Sequence, residues 1–354
     1  MAYRLYGPRN RNLHLLAGVI AAGLSAAFFK HKTWRFLFGG AAAVELGVAA
    51  YRAFQRKQPA ETTETPVSES LQSEVVDGVR MKWEEHGDAA GIPVVLVHGF
   101  PTCPRLWRFV IPRLAFSGAR CLAWEMVGFG SSWPESFQRD ISVAAQADYL
   151  YAWLRHMNIN KAIFVGHDLG GGVVQRLAIK HPGYCIGLAL IDSVAYVNWP
   201  LPLVRFARSR SAIVGRLPLF LLKNIFVSAL VAVGHDKKRR GMESMEIHWR
   251  NYNHDKGPAI FLKQLKSFEN KDTLEIAGKL SKIKAPVKVI WGEMDRLDIE
   301  SGRKLAAEFG AELTVIPGAG HYTPEDHPEE IANAIKDLLS QTEENEQVKS
   351  IMKQ

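Results

Sequence analysis

The fold depends on the stretch Ala162-Ile163-Phe164-Val165-Gly166-His167-Asp168-Leu169-Gly170-Gly171-Gly172-Val173-Val174-Gln175. Its first four residues are apolar and predict a short buried strand. Apolar residues then recur at helical spacing and predict a helix. A strand, a tight turn and a helix are the setting of a nucleophile elbow, whose strained turn holds its central side chain, here Asp168, over the edge of the sheet. Gly166 and Gly170 suit this turn because a side chain at either position would crowd the junction of strand and helix.

An aspartate at the centre of the turn narrows the chemistry. A serine there attacks acyl carbons, whereas a carboxylate displaces a leaving group from a saturated carbon and forms an alkyl-enzyme ester. Water activated by a histidine then hydrolyses that ester. The helix that begins beside Leu169 brings the positive end of its dipole near Asp168 and favours the ionised carboxylate. The alternative is that this segment is only a structural turn.

The composition is that of a basic globular protein with few cysteines. The chain has 354 residues, 47% of them hydrophobic, which predicts one large domain plus an additional element. The formal net charge is +8, and the basic residues concentrate in the N-terminal segment and in residues 205–250. Since no compact basic–aromatic array is present, a membrane surface is favoured over nucleic acid as a partner. Three scattered cysteines without metal or disulfide spacing fit a reducing compartment.

Two apolar segments stand at the N-terminus. Residues 13–29 carry no charge and span roughly 17 residues, the lower limit for a membrane helix. Residues 36–54 follow and contain small residues that would allow two helices to pack closely. Three interpretations remain: a two-helix membrane hairpin with both ends in the cytoplasm, a single span or cleaved signal peptide, and an interfacial amphipathic pair. The hairpin is similar to small two-helix modules of the bacterial inner membrane, so residues 1–57 are predicted to anchor a cytoplasmic domain there.

The remaining sequence divides by composition and periodicity. Residues 58–74 are rich in Pro, Glu, Thr and Ser and predict a flexible linker. From residue 75, apolar runs alternate with amphipathic segments, which predicts an α/β fold with a doubly wound, mostly parallel sheet. Helical patterns rich in Leu, Phe, Arg and Lys interrupt this alternation and predict an inserted helical cap. The predicted parts are the core at 75–196 and 281–340, the cap at 197–280, and a polar tail at 341–354.

Five short motifs fall at the predicted strand ends, in a fixed order. They are His98-Gly99-Phe100-Pro101, Gly128-Phe129-Gly130-Ser131, Gly166-His167-Asp168-Leu169-Gly170-Gly171, Trp291-Gly292-Glu293-Met294-Asp295 and Gly318-Ala319-Gly320-His321. Together they resemble the α/β-hydrolase superfamily, specifically its aspartate-nucleophile branch of epoxide hydrolases and haloalkane dehalogenases. The resemblance covers about residues 75–340.

This resemblance implies a catalytic triad. Asp168 is the expected nucleophile, His321 the base on the loop after the last strand, and Asp295 the acid that holds the other imidazole nitrogen. Their order along the chain matches the nucleophile, acid, base order of these hydrolases. The backbone N–H groups of Phe100 and Leu169 are expected to form the oxyanion site. The alternatives are a surface-loop histidine for His321 and a helix N-cap for Asp295.

The cap residues leave the substrate open. Haloalkane dehalogenases commonly place Trp after the nucleophile and often Asn after His-Gly, where this chain has Leu169 and Phe100. Phe100 followed by proline is more typical of an epoxide hydrolase, which needs a cap tyrosine to protonate the epoxide oxygen, and Tyr252 is the clearest candidate. Alternatively, His248, Trp249 and Tyr252 cradle a halide, or they form one face of an ordinary cap helix.

The sequence therefore predicts a hydrolase that forms an alkyl-enzyme ester at Asp168 on an epoxide or an organohalide, with the epoxide slightly favoured. Two alternatives are an ester or lactone hydrolase on the same scaffold, with Asp168 as base, and a non-catalytic, membrane-tethered binding protein. Neither a metal cluster nor a dinucleotide fingerprint occurs in the sequence, so no cofactor is expected. A tethered chain with an apolar, basic cap predicts a small lipophilic substrate taken from the bilayer. The sequence does not indicate an oligomeric state.

Overall fold

The centre of the fold is an eight-stranded, mostly parallel β-sheet, seen in a computed structural model that describes residues 70–215 and 218–351. The order across the sheet is β1-β2-β4-β3-β5-β6-β7-β8. The pairs β1–β2 and β2–β4 are antiparallel, and the other pairs are parallel. The strands are β1 Leu71–Val76, β2 Val79–Gly87, β3 Pro93–Val97, β4 Arg120–Glu125, β5 Ala162–His167, β6 Cys185–Ile191, β7 Val287–Gly292 and β8 Leu313–Ile316. The predicted doubly wound sheet is confirmed.

Helices follow most of the strands, and several lie between β6 and β7. The α-helices are α1 Ile111–Ala115, α2 Val143–His156, α3 Leu169–Lys180, α4 Pro202–Ser209, α5 Ser211–Val214, α6 Leu219–Gly234, α7 Lys238–Trp249, α8 Gly257–Lys266, α9 Lys271–Leu274, α10 Ile299–Phe309, α11 Thr323–Asp326 and α12 Pro328–Ile351. Short 3₁₀ helices are Pro104–Trp107, Gly130–Phe137, Pro182–Tyr184, Arg250–Tyr252 and Leu280–Lys282. We refer to α4 through α9 as the cap.

The sheet separates two hydrophobic cores. Helices α2, α3 and α10 contribute to one core, and α1 and α12 contribute to the other. Along β3, Val95 and Val97 belong to the first core whereas Val94 and Leu96 belong to the second, because side chains alternate between the faces of a strand. A parallel sheet covered on both faces needs apolar residues on both sides. This explains why these strands are continuous apolar runs in the sequence rather than alternating ones.

The turn between β5 and α3 leaves no room for two side chains. An ideal Cβ on Gly166 would lie 2.5 Å from Gly170 O, and one on Gly170 would lie 2.1 Å from Val97 O. The helix therefore begins in contact with the ends of β3 and β5, which brings the first turn of α3 directly over the carboxyl edge of the sheet. The crowding that the sequence predicts at both glycines is present.

A buried charge cluster joins the cap to the core. Glu325 in α11 accepts hydrogen bonds from Arg108 and from His248 Nε2, the latter over 3.1 Å, and Arg240 donates to the Glu325 carbonyl oxygen over 2.8 Å. Next to it, His235 Nδ1 lies 3.0 Å from Asp326 Oδ1. Burial alone would raise the pKa of Glu325, but Arg108 and His248 outweigh it and lower that pKa. The cap is therefore joined to α11 through an ionised carboxylate.

The predicted anchor, linker and tail can be compared with the described residues at the two ends of the chain. The predicted membrane anchor, residues 1–57, lies outside the described residues, as does most of the predicted linker, residues 58–74. Strand β1 begins at Leu71, inside that linker; it is an edge strand, and most of its side chains are exposed. Helix α12 runs to Ile351 and takes up most of the predicted tail, residues 341–354. Within the two described ranges, no helix combines the length and apolar character that a membrane span requires.

The elbow packing gives a stability prediction. Gly170→Ala should lower the free energy of unfolding by about 1 to 3 kcal/mol, because the new methyl group meets rigid strand backbone. The matched control is Gly183→Ala, since a Cβ there would have nothing within 4 Å; it should change stability by less than about 0.5 kcal/mol. Urea unfolding midpoints at unchanged slope measure both. Equal midpoints for the two variants would contradict the packing argument.

Candidate active site

Asp168 occupies a strained position that its surroundings hold in place. Its φ is +51°, in the left-handed region that residues with a side chain rarely adopt. The Asp168 N–H donates to Ile191 O over 3.3 Å, and its carbonyl oxygen accepts from Gly171 N and Val194 N over 3.0 and 3.1 Å. These three bonds tie the residue to the end of β6 and the first turn of α3. The strain therefore persists, as is typical of functional sites.

Two backbone N–H groups point at the Asp168 carboxylate. Phe100 N donates to Asp168 Oδ2 over 2.8 Å, and the N–H of Leu169 also hydrogen-bonds this side chain. Gly99 allows the approach, because a Cβ there would lie 2.5 Å from the Asp168 Cβ. These are the two donors expected from the sequence. Burial raises the pKa of Asp168 to about 6, although the His321 charge and both N–H groups oppose the rise.

His321 and Asp295 form a hydrogen-bonded pair beside this carboxylate. His321 Nδ1 donates to Asp295 Oδ2 over 3.0 Å, and Asp295 Oδ1 accepts from Leu297 N over 3.0 Å. The His321 carbonyl accepts from His167 Nε2 over 2.8 Å, which fixes the loop after β8. Burial works against the imidazolium, but Asp295, Asp168 and Asp192 outweigh it and raise the pKa of His321 to about 10. The structure thus brings the three predicted residues together as carboxylate, imidazole and carboxylate.

A third carboxyl group at the site belongs to Asp192, which was not predicted from the sequence. It follows β6, is fully buried, and accepts from Gly292 N over 2.7 Å and from Thr323 Oγ1 over 2.6 Å. Burial, followed by the charge of Asp295, raises the pKa of Asp192 well above its usual range. Asp192 thus connects the end of β7, just before Asp295 in the chain, to the start of α11, just after His321. Its signal in the sequence was a polar residue directly after the apolar run of β6.

The predicted cap residues are engaged with partners other than Asp168. His248 donates from Nε2 to Glu325, and its Nδ1 lies 3.4 Å from Cys103 Sγ. The Tyr252 hydroxyl donates to Gln264 Oε1 over 2.7 Å. The Trp249 ring packs on Tyr252, with centroids 5.8 Å apart. The structure does not bring their polar groups together as a cradle, and their substrate-binding roles stay predictions.

Tyr322, which was not among the residues predicted from the sequence, lies next to the His321–Asp295 pair. Its ring is 5.1 Å from the His321 ring and stacks on His235 at 4.5 Å. Burial, and then the charge of Asp168, raises the pKa of Tyr322 well above its usual range, so its hydroxyl stays protonated. Its position directly after His321 was the available signal.

The described residues do not include a cluster of metal-ligating side chains. Within residues 70–215 and 218–351, no group of three or more His, Cys, Asp or Glu side chains is arranged to hold a metal ion. The arrangement present is a buried carboxylate, two N–H donors aimed at it, and a histidine held by a second carboxylate. Such a site can form a covalent ester and then deliver water to it.

Comparisons with known proteins agree with the fold. A family model described as alpha/beta hydrolase fold matches residues 92–328, about two thirds of the chain. A solved alpha/beta hydrolase fold protein from Burkholderia ambifaria is 25% identical, with a TM-score of 0.68 that covers 78% of this chain and 100% of that one.

Three relatives indicate where in the family the chain lies. The uncharacterized hydrolase YugF of Bacillus subtilis is 26% identical over 266 residues, which are 75% of this chain and 96% of that protein. Epoxide hydrolase 3 of Xenopus tropicalis is 26% identical over 291 residues, covering 75% and 76%. A haloalkane dehalogenase of Mycolicibacterium paratuberculosis is 34% identical over 104 residues, covering 29% and 35%. The chain therefore belongs to the alpha/beta hydrolase fold family, is similar to its epoxide hydrolases and haloalkane dehalogenases, and is a hydrolase.

Proposed function

We propose that this hydrolase opens an epoxide by forming an alkyl-enzyme ester at Asp168. The observation that carries the proposal is the carboxylate itself. It stands at the elbow where a serine would otherwise be, with the His321–Asp295 pair beside it. A serine there would favour acyl transfer, whereas a carboxylate is suited to displacement at a saturated carbon. The relatives named epoxide hydrolase and haloalkane dehalogenase support this class of substrate.

In the first step, a carboxylate oxygen of Asp168 attacks an epoxide carbon. The carbon–oxygen bond of the ring breaks, and its electron pair stays on the ring oxygen, which takes a proton from the Tyr322 hydroxyl. What supports Tyr322 in this role is its position between the His321 and His235 rings, together with a raised pKa that keeps its hydroxyl protonated. Tyr252 is less suited, because its proton is directed at Gln264.

In the second step, water hydrolyses the ester. His321 takes a proton from the water, the oxygen attacks the ester carbonyl carbon, and the N–H groups of Phe100 and Leu169 stabilise the oxyanion. Esterification removes the negative charge of Asp168, one of the groups that raise the pKa of His321. A larger fraction of His321 is therefore neutral, and able to take a proton from water, in the ester than in the free enzyme. As the tetrahedral species breaks down, the His321 imidazolium protonates the departing alkoxide, and the new carboxyl group of Asp168 returns a proton to the Tyr322 phenolate. The diol then leaves with the Asp168 carboxylate restored.

An organohalide is the second candidate substrate. The observation in its favour is the similarity to the haloalkane dehalogenase of Mycolicibacterium paratuberculosis, 34% identical over 104 residues. Attack by Asp168 and hydrolysis by His321 would be the same as for the epoxide, and only the stabilisation of the leaving group would differ.

Trapping the ester tests the mechanism. In His321→Gln, the first step should proceed while hydrolysis slows by about 10²- to 10⁴-fold, the range for loss of a general base. Intact-protein mass spectrometry after mixing with styrene oxide should therefore show one substrate mass added at Asp168. His181→Gln, at the opposite end of α3, is the control and should accumulate no adduct.

Oxygen-18 water separates this route from direct ester hydrolysis. In a single turnover of the wild-type enzyme, the label should enter Asp168, because water attacks the carboxyl carbon of the ester. Label found in the product alone, together with no adduct across panels of epoxides and haloalkanes, would rule the proposal out.

The pH dependence of ester formation gives a second test. Since only the ionised Asp168 attacks, the rate should fall below pH about 6, the raised pKa of this carboxyl. The charge of His321 lowers that pKa, so the acid limb should move to higher pH in His321→Gln. Rapid-quench mass spectrometry of adduct formation measures both profiles. A limb near pH 4, or the same limb in both proteins, would refute the electrostatic account.

Tyr322→Phe separates the two substrate classes. Loss of the general acid should slow epoxide opening by about 10²-fold or more. Carbon–halogen cleavage should change little, because a halide leaves without a proton. Single-turnover rates with styrene oxide and 1-chlorobutane provide the comparison, and Tyr252→Phe should produce the smaller epoxide defect. A larger defect in Tyr252→Phe would transfer the acid role to Tyr252.

A further inference from the structure

A cleft of about 530 Å³ opens on the surface of the cap, beside α4. Its size falls in the range of small-molecule sites. Trp199 and Phe268 in its lining are buried, whereas Arg205, Glu269 and Lys271 are exposed. The cleft therefore has an aromatic base and a charged mouth, and the site described above does not account for it.

The base of the cleft packs against a residue that contacts Asp168. The Trp199 and Phe268 ring centroids are 6.3 Å apart, and the Phe268 ring lies 5.0 Å from that of Phe100, edge to face. Phe100 is the residue whose N–H contacts Asp168 Oδ2. Trp199 is fixed from behind, because its indole N–H donates to Thr273 Oγ1 over 2.9 Å. The cleft lining thus contacts, through the Phe268 ring, the residue whose N–H binds the Asp168 carboxylate.

The mouth of the cleft is positively charged. It carries Arg205, Arg208 and Lys271 against one carboxylate, Glu269, which pairs with Lys271 over 2.9 Å. Arg208 is held against the wall by a hydrogen bond to Phe268 O over 2.6 Å. The surrounding sequence has the same sign: residues 197–280 contain 15 Lys and Arg against 7 Asp and Glu, an excess equal to the net charge of the whole chain, +8.

We propose that this cleft is the substrate entrance, and that it selects a single-chain amphiphile with an anionic head group. The apolar chain would pass over Trp199 and Phe268 toward the Phe100 ring, and the head group would remain at Arg205 and Arg208. Guanidinium groups suit this role because they form charge-assisted, often bidentate hydrogen bonds with carboxylates. The proposal rests on the proposed function, since it assigns the cleft to the substrate of Asp168.

Binding of decanoate and decan-1-ol to the full-length protein tests the cleft. The two probes share a chain and differ in head-group charge. Isothermal titration calorimetry should give a lower Kd for decanoate, and the double variant Arg205→Gln/Arg208→Gln should raise that Kd about tenfold, the loss expected for a charged hydrogen bond. Decan-1-ol binding should be unchanged. Arg205→Gln alone should show part of the effect without touching the Arg208–Phe268 bond.

Arg210→Gln is the matched control. Arg210 is exposed at the end of α4 and does not line the cleft, so Arg210→Gln removes the same single charge as Arg205→Gln and should leave the Kd for decanoate unchanged. Decanoate should also compete with styrene oxide for adduct formation at Asp168. An unchanged Kd in the double variant, an equal rise in Arg210→Gln, or binding without competition would each overturn the proposal. Because decanoate is unreactive, its binding is independent of whether the ester forms.

Discussion

The strained backbone of Asp168 is the constraint on which the rest of the structure depends. A side chain at φ +51° is held only because β6 and α3 both bond to the Asp168 main chain. Those bonds require α3 to start in contact with β3 and β5, which in turn requires residues without a Cβ at Gly166 and Gly170. The same closeness brings the Phe100 and Leu169 N–H groups to the carboxylate. The carboxylate can therefore point outward from the sheet only if both of these positions lack a side chain.

Electrostatics at the site follow from placing three carboxyl groups around one imidazole. Asp168 and Asp192 have raised pKa values, because burial disfavours their charge, and Asp295 is hydrogen-bonded to His321. A buried positive charge is costly unless it is paired, and here the surrounding carboxylates more than compensate for burial. Neutralising any one of these carboxyl groups changes the proton affinity of the imidazole. In the proposed reaction, this coupling lets His321 pair with carboxylates before the ester forms and act as a base once it has formed.

The sequence predicted the sheet and the expected catalytic residues because both depend on short-range patterns. Strands covered on two faces are apolar runs, and Asp168, Asp295 and His321 sit at strand ends that the runs locate. Other features depend on contacts between distant segments: Tyr252 reaches Gln264, which in turn bonds Gly128 O, and His248 bonds Glu325. No local pattern indicates such partners. Asp192 and Tyr322 were overlooked for a similar reason, because their value comes from neighbours that only the folded chain provides.

The joint between the cap and α11 limits how this scaffold can be rearranged. Glu325 and Asp326 lie within five residues of His321 along the chain. Their carboxylates are hydrogen-bonded to Arg108, His248 and His235. A buried carboxylate that loses its cationic partners is strongly destabilising, because the charge is left without compensation. A chimera that imports a cap from a relative must therefore import the matching α11 as well. Exchanging this cap alone would disturb the loop that carries His321. The cap and the His321 loop are therefore expected to be exchangeable only together.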